Sequence, residues 1–197
     1  MQRINPASDA ALSQFETAFQ MAEAVMGFVP NSMKVMARRP KLLAGFMGLS
    51  SALLGPDSNL PGDLRQMIAH VTSKAAGCNY CQAHTSEQAE RKGTSTAKID
   101  ALWNYETSDL FSEAERAALS LAQAAGAVPN AATDAHFEAL KRHYSEDQIV
   151  EIVGVISLFG FLNRWNDTLA TTLEDSPLAF AEAHLKSQGW EVGNHGE

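Results

Sequence analysis

LRQMIAHVTSKAAGCNYCQAHTSEQAERKG, residues 64–93, reads as two helices joined at a glycine, with two cysteines where the second begins. Leu64, Met67, Ile68, Val71 and Ala75 recur at intervals of three and four and form one apolar stripe. Pro61 suits the first helical position, and Gly77 ends the helix. The second helix carries Cys81, His84 and Gln88 to about Lys92 and stops at Gly93.

The same period runs outward in both directions. Leu12, Phe15, Phe19, Ala22 and Met26 mark a helix over residues 10–27. Ser32 to Arg38 is a short helical piece, stopped by Pro40 because a residue before proline avoids the helical region. Residues 41–54 form another helix, striped by Leu42, Phe46, Leu49 and Leu53. Downstream, Ser112 with Glu115 and Ser145 with Gln148 are capping boxes. Thr133 caps a helix that runs through Phe137 and Leu140. The helix begun at Ser145 reaches about Leu169 and is apolar nearly all round from Ile149 to Leu162, as a helix covered on several sides would be. Some of that surface is expected to face a second subunit. Pro177 opens a last helix. No segment alternates polar and apolar residues long enough for a strand, so the expected fold is all-α. It is one domain over 1–197, with a redox core at about 60–93 and C-terminal helices over 111–188. The first and last residues, MQRINPASD and GWEVGNHGE, lack pattern and are expected to be loose.

A chain of 197 residues can bury a substantial core. Its net charge of -8 argues against nucleic acid, which a basic surface would meet. No basic, apolar and small-residue succession marks a leader, and no apolar run reaches a membrane span. A soluble cytoplasmic protein is the expectation. Two cysteines are too few for a disulfide scaffold; a close pair in a reducing compartment points to chemistry or metal.

Cysteines three apart at a helix start can reach disulfide range. Free N–H groups there stabilise a thiolate. His84, one turn beyond Cys81, could pair with that thiolate or carry its proton. His70 lies eight residues before Cys78, on a helix ending beside the pair, and could join a relay through water. Tyr80 would line a pocket or pack. Two other readings of the pair stand: small buried hydrophobes, or a metal site through Cys78, Cys81 and His84, with a fourth ligand from His70, His136 or His143.

The segment from Leu64 to Gly93 resembles the carboxymuconolactone decarboxylase family, in its AhpD-like alkylhydroperoxidase branch. Phe111-Ser-Glu-Ala-Glu-Arg-Ala-Ala-Leu, ISLFGFLNRWND (residues 156–167), Val29-Pro-Asn and Arg39-Pro-Lys-Leu-Leu carry the likeness over roughly 25–175. The resemblance implies an AhpD-like helical fold assembled as a homo-oligomer (dimer, trimer or hexamer). It implies reduction of a small organic hydroperoxide with no bound cofactor. Cys81 would attack the peroxide and Cys78 would close the disulfide; an external thiol or a protein disulfide reductant would restore it. Two departures stand out. Gln66 occupies the place of the family's proton-relay glutamate, and His84 follows Cys81 after two residues where the family has three. His70, one turn after Gln66, could take the base role. Asn163, Arg164, Asp167 and Glu115 read as holding helices or subunits together. The decarboxylase branch typically lacks the cysteine pair, and Lys74 is the only basic residue placed close enough to grip a lactone acid.

The leading expectation is therefore a thiol-dependent peroxidase. Its alternatives are a non-enzymatic redox-responsive oligomer and a metal-binding helical module.

Overall fold

Proline, glycine and small polar caps divide the chain into helices, and the computed structural model, which describes residues 2–196, follows that punctuation. Its α-helices are α1 (Asp9–Leu12), α2 (Glu16–Met26), α3 (Asn31–Met36), α4 (Pro40–Leu54), α5 (Gly62–Ala75) and α6 (Asn79–Arg91). They continue as α7 (Thr96–Asp100), α8 (Glu113–Gly126), α9 (Asp134–Leu140), α10 (Glu146–Leu169) and α11 (Asp175–His184). No strand occurs among the described residues, so the fold is all-α.

The capping boxes start their helices as expected: Ser112 and Glu115 satisfy each other's backbone N–H at α8, and Ser145 and Gln148 do so at α10. Each such cap contributes about 1 kcal/mol. Thr133 caps α9 with His136 closing the box, a use of histidine that its sequence position did not suggest.

α5 is the hub, packed against α6, α8 and α10. Met67, Ile68 and Val71 of α5 are fully buried with Leu119 of α8 and Ile152 and Val155 of α10. α8 comes so close to α5 that a Cβ at Gly126 would lie 2.8 Å from the Thr72 carbonyl oxygen. At Gly77 the chain turns from α5 into α6 with φ +79, which glycine adopts without strain. That turn delivers Cys78 to the start of α6.

α10 is long and apolar enough to cross a membrane by length and composition, yet it is the core helix of this bundle. Its lone mid-run acid, Glu151, accepts hydrogen bonds from Ser58 and Asn59 and so holds the 55–60 loop. Val150, Val153 and Phe161 remain exposed on its outer side.

Four expectations change. The first helix is interrupted by a 3-10 turn at Ser13–Phe15. On α4 the fully buried residue is Leu43, whereas Leu49 is 50% exposed, because the helix lies at the edge of the bundle and touches it along a narrow line. α11 begins two residues before Pro177, which sits in its first turn. Within residues 2–196 both ends are tied down rather than loose, and Met1 and Glu197 lie outside the described residues. The Arg3 N–H donates to Leu169 O, the Leu173 N–H to His195 O, and Trp190 is buried. These ties use backbone groups, which have no signature in side-chain pattern.

Candidate functional site

Cys78 is the N-cap of α6, and its Sγ accepts the backbone N–H of Cys81 at 3.4 Å. Both cysteines are free thiols and almost wholly buried. The two sulfurs differ in surroundings. Cys78 hydrogen-bonds to Cys81, which, with burial and then the nearby Cys81 and Asp167 charges, pushes its thiol far up and keeps it protonated. Cys81 Sγ faces α10, where Asn166 Nδ2–H donates to it at 3.5 Å. The Oδ1 of Asn166 and both side-chain polar atoms of Asn163 have no hydrogen-bond partner, although both residues are buried.

His84 lies one turn beyond Tyr80 on α6 and stacks on its ring, with centroids 4.3 Å apart. Its Nε2 meets Glu174, the residue just before α11. Glu174 also accepts from the Tyr80 hydroxyl at 2.9 Å and from the Asn31 backbone N–H. Burial alone would push the Glu174 carboxyl up. The His84 charge and hydrogen bond, helped by Asn31, outweigh that and hold it below the usual carboxylate range. A carboxylate with three donors fixes the imidazole, and the nitrogen facing it carries the proton.

His70 projects from α5 against α6. Its Nδ1–H donates to the Gln82 carbonyl at 3.2 Å and lies 3.3 Å from Thr85 Oγ1. Burial, with the Lys74 charge adding to it, pulls this imidazole down from 6.5 to about 4, so it is neutral near pH 7. Gln66 is also buried on α5. Among the described residues no hydrogen bond joins His70 or His84 to either sulfur. Lys74 sits over the Trp103 ring, 5.1 Å from its centroid. Arg164 turns back on Gly160, and Glu115 serves the α8 cap and pairs with Lys98.

The side chains that converge on Cys78 are not those marked for a metal. Cys78 Sγ, an Asp167 oxygen and a His195 ring nitrogen lie within 4.8 Å of one another, and His84 is not among them. His195 Nδ1–H donates to Thr171 O at 2.9 Å, and its Nε2 lies 3.1 Å from Asp167 Oδ1. Glu174 and His195 escaped sequence reading, and Asn166, within the quoted segment 156–167, was given no role at the site. Glu174 could have been suspected as an acid preceding a helix start; His195, in a Gly-Asn-His-Gly run, carries no signal.

Residues 40–124 match the carboxymuconolactone decarboxylase family. The chain is 30% identical over 111 residues to YdfG, an uncharacterized protein of Bacillus subtilis (strain 168); the match spans 55% of this chain and 73% of that one. The solved structure of the debrominase Bmp8 resembles this fold with a TM-score of 0.84 at 36% identity, over 91% of this chain and 96% of that one. A cysteine-to-alanine variant of Bmp8, in complex with 2,3,4-tribromopyrrole, gives 0.85. An uncharacterized peroxidase-related protein with an alkylhydroperoxidase AhpD core, from Ralstonia eutropha JMP134, gives 0.80 at 26% identity, over 91% and 95%.

Proposed function

This chain belongs to the carboxymuconolactone decarboxylase family, with an AhpD-like fold, and on that premise we propose that it is a thiol-dependent reductase of small organic hydroperoxides. The observation that carries this reading is the asymmetry of the two sulfurs. Cys81 receives an N–H from Asn166, which stabilises a thiolate, while Cys78 is held as a thiol. Cys81 attacks the O–O bond and becomes a sulfenic acid as the alcohol leaves. Cys78 then displaces water and closes the disulfide. An external dithiol, small or protein-borne, returns both cysteines to thiols.

His84 supports the first step. In the neutral imidazole, with the Nε2 proton committed to Glu174, Nδ1 has a lone pair that can take the Cys81 proton through one water. The Glu174 carboxylate stabilises the imidazolium so formed, as the acid of a triad does. His70, neutral and held by Gln82, is a positioning residue between α5 and α6. The exposed Val150, Val153 and Phe161 favour assembly into homo-oligomers through α10.

Bmp8, at 36% identity, favours a second reading with the same electron count. Cys81 would take bromine from a small halogenated aromatic as a sulfenyl bromide, a proton would replace it on carbon, and Cys78 would release bromide in closing the disulfide. Thiol counting after one equivalent of cumene hydroperoxide, or of 2,3,4-tribromopyrrole, decides between them. Loss of both thiols with the hydroperoxide, and sulfenate trapped on Cys81 in Cys78→Ser, is the expected result. Thiols consumed only by the bromopyrrole would transfer the function to debromination. Thiols surviving both would refute a reductase role for these substrates.

A further inference from the structure

The mechanism above provides a base for Cys81 and none for Cys78, whose proton must also leave before a disulfide can close. The structure places a second histidine–carboxylate pair beside that sulfur. Asp167, near the end of α10, and His195, from the segment after α11, lie with Cys78 Sγ inside a 4.8 Å cluster. His195 is 1% exposed, whereas the Asp167 side chain is 39% exposed and so stays in contact with solvent.

Hydrogen bonding defines the state of the pair. His195 Nδ1 is 2.9 Å from Thr171 O, and Nε2 is 3.1 Å from Asp167 Oδ1. A carbonyl oxygen can only accept, and so can a carboxylate. Nδ1 therefore carries the ring's proton, and the contact between Nε2 and Asp167 Oδ1 becomes a hydrogen bond when the pair takes up one more. The ring is kept in place from several sides. The Leu173 N–H donates to His195 O at 2.9 Å, and the His195 N–H to Val192 O at 3.1 Å. Trp190 Nε1–H donates to Asn79 O at 3.0 Å, pinning the same segment to the first turn of α6. The Tyr80 ring lies 5.6 Å from the His195 ring and closes the far side. Among the described residues, the titratable groups around Cys78 are thus Cys81, Tyr80, Asp167 and His195.

We propose that Asp167 and His195 are the proton relay of Cys78. The relay rests on the reductase reading only in that Cys78 must close a disulfide. As Cys78 attacks the oxidised Cys81 sulfur, the S–S bond forms and the S–O bond of the sulfenic acid breaks. The Cys78 proton passes to Asp167 through a water, which can span a gap of this size. The imidazole holds the carboxylate in position and shares the proton, and the relay protonates the departing hydroxide, giving water. When an external dithiol reduces the disulfide, the same path returns a proton to Cys78.

Diamide tests the relay without calling on any substrate pocket. It adds across its N=N bond to one thiolate, and the second thiol then displaces the hydrazine, so addition and closure separate as two kinetic phases. Asp167→Asn and His195→Gln should each slow the closure phase about a hundredfold, the usual scale of lost base assistance. The double variant should be no slower than either single one, because the two residues act as a unit. Asp167→Glu should recover part of the rate. Asn removes a negative charge beside Cys78, so a purely electrostatic role for Asp167 predicts faster closure instead. Closure in Asp167→Asn at or above the parent rate overturns the proposal. So do additive losses in the double variant, and so does a parent that forms no disulfide with diamide. A parent that closes normally with diamide but ignores cumene hydroperoxide and tribromopyrrole refutes the substrate reading and leaves the relay standing.

Discussion

The α5–α6 hairpin and the C-terminal third of the chain meet at the cysteine pair, and they contribute in opposite ways. The hairpin supplies the sulfurs, His70 and His84 from residues close in sequence. The C-terminal third supplies what those groups bind: Asn166 for Cys81, Glu174 for His84, Asp167 and His195 beside Cys78. Within that division the two histidine–carboxylate pairs are also inverted. Glu174 is a carboxylate hub that collects three donors, and His195 is an imidazole hub that faces two acceptors. Reactive side chains can thus be local while their control is distant, because each control is a single hydrogen bond that any packed element can deliver.

The sharpest way to break the comparison is to remove the hub on the distant side. Glu174→Ala leaves Tyr80, His84 and the Asn31 N–H without their acceptor, and it should cost about 3–5 kcal/mol in denaturant unfolding. A loss under about 1 kcal/mol would show that the hairpin holds His84 unaided.

His70 probes the hairpin side. Its native value of about 4 lies below the ordinary 6.5, so the unfolded chain takes up a proton that the native state refuses. This contribution to stability is complete above pH 6.5 and is lost progressively as pH falls toward 4, by about 3 kcal/mol in all. Stability curves against pH should therefore separate the parent from His70→Gln in that window. Parallel curves would mean that the imidazole is hydrated in the native state.

Gly126→Ala tests how rigidly α8 backs the hairpin. The added methyl would meet the Thr72 carbonyl at 2.8 Å, and a loss of about 1–3 kcal/mol in melting experiments is expected. A neutral result would show that the helices can separate without cost. The smallest effect falls on the outer face of α10. Val150→Ser, at a side chain 70% exposed, should change monomer stability by no more than about 0.5 kcal/mol. It should nonetheless shift sedimentation toward smaller species; unchanged sedimentation would place the subunit contact elsewhere.

The helices were legible because each carries its own signal. The apolar stripe of α5, the Ser112 and Ser145 capping boxes and the Gly77 stop are local, and local side-chain chemistry decides where a helix starts and which face it buries. The α4 stripe misled at Leu49 because periodicity defines a face without saying how much of it a neighbour covers. The cysteines and His84 could be singled out for the same local reason, since spacing along one helix determines which groups share a turn.

By itself, the sequence determined the all-α class, the capped starts of α8 and α10, the Gly77 stop and the presence of two thiols at a helix start. Only the tertiary structure decided which sulfur faces Asn166 and which faces Asp167 and His195, and that Glu174 rather than a thiol engages His84. The reason is physical. Helix formation depends on contacts three and four residues apart, which a sequence displays. The hydrogen bonds that set Cys81 apart from Cys78 and that engage His84 join residues 85 and 90 positions apart, and no pattern short of the packed fold records them.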